Sequence, residues 1–327
     1  MAKKINTWQG LTVFTVLAVA VLLAIALSMF VGSVLMSPGD LLRSEILWQV
    51  RLPRICLAGL IGLLLSISGV ILQGVLRNPL ADPYVLGISA GGAIGAAIAI
   101  ALGASFTILG MSPVPILAFI TSLAAVYVVY KLSQVAGKTS PETLILAGVA
   151  LAAFCSAILS LIIILTGNLQ AIYFWLLGSL SAATWSNVIT VLPYAVLGTA
   201  VAYFFSKELN ALLLGEEMAQ TLGVDVERTR MVLVGAASLM TAAAVSVSGL
   251  IGFVGLIVPH FIRLLIGPNH RYLVPISALS GMLLMIVADT LSRTVLSPTE
   301  VPIGIVMALV GAPFFLYLLR RRRVEGK

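Results

Sequence analysis

Two histidines, His260 and His270, stand ten residues apart in a chain of 327. A hydrolytic zinc site needs histidines one helical turn apart with a carboxylate beside them, as in HExxH. This spacing does not supply it. Gly137-Lys138-Thr139 resembles the end of a phosphate-binding loop, but such a loop needs a glycine five residues earlier, where Leu132 stands. Gly91-Gly92-Ala93-Ile94-Gly95 lacks the dinucleotide-binding spacing and lies in an apolar run. Cys56 and Cys155 match no disulfide or metal pattern and read as small packing residues. Asp289 is the one carboxylate well inside an apolar run, four residues before Arg293. It could relay protons, but the acid-then-base spacing favours an i,i+4 ion pair. These residues therefore promise no catalytic group, no metal ligand and no cofactor held by this chain.

The elements that carry these residues are oily. The chain is 60% hydrophobic and 9% charged, against about 25% charged in a soluble protein. Apolar runs long enough to cross a bilayer occur at roughly 11–32, 51–75, 84–102, 113–134, 141–166, 188–206, 230–249, 272–296 and 302–319. A shorter run, 254–267, is interrupted by Pro259 and must pack against other helices, giving ten crossings in a single membrane domain over 1–327. The stretch 171–182 is too short to span and reads as an interfacial half-helix, with Trp175 and Trp185 near headgroup level. The first run, after Lys3 and Lys4, reads as a retained helix.

Ten crossings put both termini on one side. If that side is the cytoplasm, 15 of the 19 Lys and Arg residues lie inside, and only Arg43, Arg51, Arg54 and Arg293 lie outside. The net charge of +7 is thus a positive-inside signature rather than a sign of nucleic-acid binding. Ser66–Ile71 (SISGVI) is echoed by Ser246–Ile251 (SVSGLI), five crossings later and hence in the opposite direction. Inverted repeats of this kind occur in transporters. Gly87, Gly91 and Gly95 form a small-residue face for close helix packing.

One polar stretch interrupts the apolar pattern. Of 31 charged residues, eight fall between Lys207 and Arg230. Gly215 opens and Gly223 closes a short helix, with Glu216 and Glu217 in its first turn, where carboxylates suit the helix dipole. Asp225 can start a second short turn, and Met218, Ala219 and Leu222 would form an apolar face. The stretch is either a solvated loop or a docking element for a soluble partner.

Several stretches together resemble one family. They are Arg51-Leu52-Pro53-Arg54, SGVILQGVLRNPLADPYVLGISAGG at 68–92, LILAGVAL at 144–151, LGEEMAQTLGV at 214–224, SGLIGFVGLIVPHFIRLLIGPNHR at 248–271, ADTLSR at 288–293 and PIGIVMALVGAPFFLYLLRR at 302–321. The chain resembles the FecCD-type permeases, membrane subunits of ATP-driven importers for iron–siderophores, haem and vitamin B12. The resemblance implies an all-α type II ABC importer permease, with about ten transmembrane helices in two inverted five-helix halves. It implies a homodimer in the inner membrane of a bacterium or archaeon, two ATPase subunits that hold ATP and Mg, and an extracytoplasmic substrate-binding protein. It assigns ATPase coupling to Gly215, Glu216, Glu217, Ala219 and Leu222, within 207–230. It assigns the cytoplasmic narrowing to Asn78, Leu80, Thr139 and Ser140, and docking of the binding protein to Arg51, Arg54 and Arg293. An iron–siderophore is the first cargo expected. An ion-coupled secondary transporter, or a channel or structural oligomer, are the alternatives.

Overall fold

A computed structural model describes residues 7–32, 39, 44–103, 107, 112–135 and 138–325. Lys3, Lys4, Arg43, Gly137 and Lys327 lie outside the described residues, as do the side chains of Lys138 and Arg321–Arg323. The chain forms thirteen α-helices among these residues: α1 Thr7–Phe30, α2 Leu52–Val75, α3 Ile88–Ala101, α4 Pro113–Leu132, α5 Pro141–Thr166, α6 Leu169–Leu176, α7 Trp185–Phe204, α8 Ser206–Leu212, α9 Glu216–Thr221, α10 Val226–Ser248, α11 Val254–Ile266, α12 His270–Thr294 and α13 Ile303–Glu325. The single hairpin pairs β1, Gln134–Val135, with β2, Lys138–Thr139.

Seven helices are long and apolar enough to cross a bilayer, and α3, α11 and α13 supply three shorter apolar ones. Together, among the described residues, they match the ten apolar segments expected. A π turn at Leu47–Arg51 runs straight into α2 and lengthens it outward. The half-helix expected at 171–182 is α6, eight residues long. Trp185 begins α7, and its indole N–H donates to the Trp48 carbonyl at 2.8 Å.

α2 is the central post, flanked by α1, α7, α10, α11 and α12. Its glycines make this possible. A Cβ on Gly69 would collide with the Gly255 carbonyl of α11, and one on Gly62 with the Gly281 carbonyl of α12. The small-residue face of α3 serves packing within the chain, since Gly91 and Gly95 press on Thr121 and Leu117 of α4. α1 and α5 are the opposite case, because most of their side chains reach the surface of the single chain. A helix apolar all round with few protein neighbours belongs in lipid or against another subunit.

The helices that carry the two copies of the sequence echo meet. Ser68 of α2 donates to the Ala237 carbonyl of α10 at 3.1 Å. Their backbones diverge at the glycine. α2 continues through Gly69 to Val75, whereas α10 ends at Ser248 and Gly249 turns the chain with φ 67°. The following segment reaches α11 through Phe253, also left-handed, and is pinned by Tyr84, whose hydroxyl donates to the Ile251 carbonyl and accepts from its N–H, both at 3.0 Å.

Candidate functional site

Polar side chains gather at the two ends of α2. At its C-terminal end lies the stretch containing α8 and α9. Gly215 leads into α9 with φ 109°, a conformation that a side chain would strain. Gly223 follows α9 in the left-handed region, as its position suggested. The second short turn expected at Asp225 is instead the start of the long α10, with the Asp225 carboxylate accepting from the Arg228 N–H at 3.1 Å. The second short helix of the stretch is α8.

The expected apolar face of α9 splits. Ala219 is fully buried against the bundle, while Met218 and Leu222 are 51% and 60% exposed. Leu214, 66% exposed, extends the outward stripe at four-residue spacing. Glu217 also points outward, whereas Glu216 points in.

Glu216 meets a residue that composition alone did not single out. Arg230, in the first turns of α10, is 1% exposed. Its Nη2 donates to Glu216 at 2.6 Å and its Nη1 to Glu227 at 2.7 Å, and Nη1 also donates to the Thr139 carbonyl. The Glu227 carboxylate in turn accepts from the Thr139 N–H at 3.3 Å. Both backbone groups of Thr139 are thus held by one ion pair at the start of α10. Arg77, just past α2, donates to the same Glu216 oxygen at 3.2 Å.

The residues expected at the narrowing sit beside this cluster. The Asn78 side chain accepts from the Leu80 N–H at 3.0 Å and shapes the turn after α2. Ser140 caps α5 by accepting from the Thr143 N–H at 3.2 Å, in a reciprocal capping box. A polar cavity of about 340 Å³ is lined by Ser133, Thr139, Ser140, Thr143, Glu216, Gln220 and Glu227. Asn78 and Leu80 do not line it, but Glu216, expected at the coupling contact, therefore shares one wall with Thr139 and Ser140, expected at the narrowing. Arg230, Glu227 and Arg77 join them, and the only hint in the sequence was a Glu–Arg pair three residues apart at the edge of an apolar run.

At the N-terminal end of α2 the three expected arginines come together, but turned inward. Arg51, Arg54 and Arg293 are 5%, 5% and 4% exposed. Asp289 accepts from Arg54 at 2.9 Å and forms an ion pair with Arg293 at 3.1 Å, so the i,i+4 pair expected in α12 is present. Arg54 also donates to both oxygens of Glu300 at 2.9 Å. Arg293 donates to the Ser28 hydroxyl of α1 at 2.7 Å. Arg51 donates to the Met29 carbonyl at 2.7 Å, in the last turn of α1, where a cation suits the helix dipole. This network ties α1, α2, α12 and the segment before α13 together.

No group of three or more His, Cys, Asp or Glu residues placed to hold a metal occurs among the described residues.

Comparison with known proteins agrees with this architecture. The FecCD transport family matches residues 19–321. The chain is 48% identical over 282 residues to the cobalamin import system permease protein BtuC of Halobacterium salinarum, covering 86% of this chain and 75% of that protein. It is 41% identical over 284 residues to the hemin transport system permease protein HmuU of Yersinia pestis, covering 85% and 84%. A solved metal-chelate type ABC transporter in an inward-facing conformation superposes with a TM-score of 0.86 at 32% identity, over 95% of this chain and 99% of that one. Matched from α1 to α13 in both sequence and fold, the chain belongs to the FecCD transport family.

Proposed function

We propose that the chain is the membrane-spanning permease subunit of an ATP-binding-cassette importer. It works as a homodimer with two ATPase subunits that hold ATP and Mg, and it receives a metal chelate from an extracytoplasmic binding protein. The observation that carries this reading is the exposed stripe Leu214, Met218 and Leu222, wired through Glu216 and Arg230 to Thr139. An apolar stripe on a polar, extramembrane stretch suits a protein partner better than water. Asp289, the carboxylate inside a long apolar helix, is held by two arginines, which speaks against a proton relay there.

The cargo class is a metal chelate. Iron–siderophores come first from the family resemblance, but likeness to permeases named for cobalamin and hemin moves those two macrocycles to the front. The test is uptake into vesicles containing this subunit with its co-purified ATPase, loaded from a binding protein carrying cobalamin, haem or a ferric siderophore. Uptake should need ATP and should survive collapse of ion gradients. Uptake that fails on adding an uncoupler, with ATP still present, would favour a secondary transporter.

The polar end with α8 and α9 is read as cytoplasmic, together with both termini, on the 15-to-4 charge asymmetry. A reporter fused after Lys327 should then behave as cytoplasmic. The arginine network faces the other side. Docking of the binding protein there takes the form of an exchange, in which a partner carboxylate replaces the partly exposed Glu300 on Arg54.

A further inference from the structure

We propose that Arg230 is a positioning residue that carries movement of α9 to the β1–β2 hairpin and the start of α5. The inference rests on the reading of α9 as the ATPase-contacting helix. Three observations support it. Arg230 is buried, yet its partners come from two separate elements besides its own: Glu216 of α9, Thr139 of β2, and Glu227 one turn back in α10. Thr139 is held at both its carbonyl and its N–H by the Arg230–Glu227 pair, so it cannot shift independently of the start of α10. Ser140, the next residue, caps α5, a helix most of whose side chains reach the surface of the single chain.

The geometry requires arginine. One planar guanidinium reaches Glu216 through Nη2 while Nη1 serves Glu227 and Thr139. A lysine ammonium is a single point of charge on a flexible stem and cannot reproduce that fork. The exposed Leu214, Met218 and Leu222 lie on the outward side of the segment whose inward side carries Glu216. A push on the stripe therefore arrives at Arg230 through a charge-assisted hydrogen bond, without passing through solvent.

Hydrogen exchange on the complete transporter, with its ATPase subunits, tests this. Protection is followed for peptides covering 213–223 and 134–140, with and without a non-hydrolysable ATP analogue. In the unsubstituted protein both segments should respond to nucleotide, the hairpin by roughly tenfold in exchange rate. In Arg230→Gln, 213–223 should still respond while the hairpin response falls below about twofold. Glu216→Gln cuts the α9 end of the link at a partly exposed carboxylate, leaves Glu227 and Thr139 paired, and should give the same split; it serves where Arg230→Gln fails to fold. Arg230→Lys should fall between. A purely structural role would lower protection of the hairpin equally in both states and keep its nucleotide response. A hairpin that responds fully in Arg230→Gln, or in Glu216→Gln should the former not fold, overturns the link. If 213–223 itself ignores nucleotide in the unsubstituted protein, the docking reading of α9 fails and the link falls with it.

Discussion

Asp289 and Arg54 meet at 2.9 Å although 235 residues separate them in the chain, and both are almost fully buried. The carboxylate also pairs with Arg293, so it bridges two cations, one of which Glu300 shares. Removing one member of a buried pair leaves uncompensated charge. Asp289→Asn should lower stability by about 3–5 kcal/mol. Glu300→Gln removes a partly exposed partner and should cost about 0–1 kcal/mol. Thermal unfolding of the two variants in detergent gives the comparison, and equal losses would mean Asp289 is not the anchor.

The exposed stripe Leu214, Met218 and Leu222, proposed as the ATPase contact, should respond to added charge more than to loss of charge. Leu222 is exposed in the isolated subunit, so Leu222→Asp should change its stability by no more than about 0.5 kcal/mol. It should nevertheless abolish nucleotide-driven uptake, by placing an unpaired carboxylate in an apolar contact. Glu217→Gln, on an exposed side chain, should do much less. Ala219→Leu fails by another route, since it overfills a fully buried site at about 1–3 kcal/mol. Normal ATP-driven uptake with Leu222→Asp would return the stretch to a solvated loop.

Cysteines test the narrowing. In a background lacking Cys56 and Cys155, Asn78→Cys and Ser140→Cys should cross-link between the two copies in one nucleotide state only. Thr139→Cys should react poorly in either state, because Thr139 is 2% exposed and clasped by Arg230 and Glu227. Cross-linking that ignores nucleotide would remove the gate from these positions.

Docking through Glu300 exchange predicts a salt-sensitive defect. Arg54→Glu should slow binding-protein association at low ionic strength, read on subunits whose folding is first checked by thermal unfolding, since the change also breaks the buried pair with Asp289. Glu300→Gln frees Arg54 for a partner and should speed association. Unchanged association in both variants would leave the arginines with a purely internal role.

Asp82, between α2 and α3, supplies a pH dependence. Its carboxylate caps the Pro83–Leu86 turn by accepting from the Tyr84 N–H at 2.8 Å. Burial nevertheless pushes its pKa up to about 6 from 3.8, against the lowering effect of that hydrogen bond. A carboxyl with a raised folded pKa takes up a proton on folding. Its contribution is most favourable at low pH and is lost as pH rises through about 4 to about 6. Asp82→Asn keeps an acceptor for the cap without the charge. It should be neutral near pH 4 and stabilising by about 1–3 kcal/mol at pH 8, the range allowing for the partial exposure of the side chain. Melting temperatures at the two pH values give the sign.

The ten crossings were legible because a bilayer demands long apolar runs and little else. Cap positions were legible too: Gly223 and Asp225 do what their chemistry suggests, although Asp225 opens a long helix rather than a short turn. Side-chain direction was not. Arg51, Arg54 and Arg293 lie at one end as charge asymmetry implied, but sidedness says nothing of whether a side chain faces out or in. Their partner Glu300 is 246 residues from Arg54. Arg230 looked like one more loop charge, since only the folded chain brings Thr139, 91 residues away, under its guanidinium. Met218 and Leu222 parted from Ala219 because residues four apart share one stripe of a helix, while 219 lies about 100° round from 218 and faces the bundle.

The separation of Arg54 from Asp289 also sets an order of assembly. A ribosome adds roughly 5–20 residues each second. Asp289 therefore emerges about 12–50 seconds after Arg54, from the 235 residues between them. For that interval the N-terminal end of α2 carries Arg54 without Asp289, and α10, α11 and α12, which bury α2, are made only in its later part. The central post of the finished protein is consequently among the first helices to enter the membrane and among the last to be enclosed. A chain that ends before α12 leaves Arg54 without Asp289 and one flank of α2 uncovered.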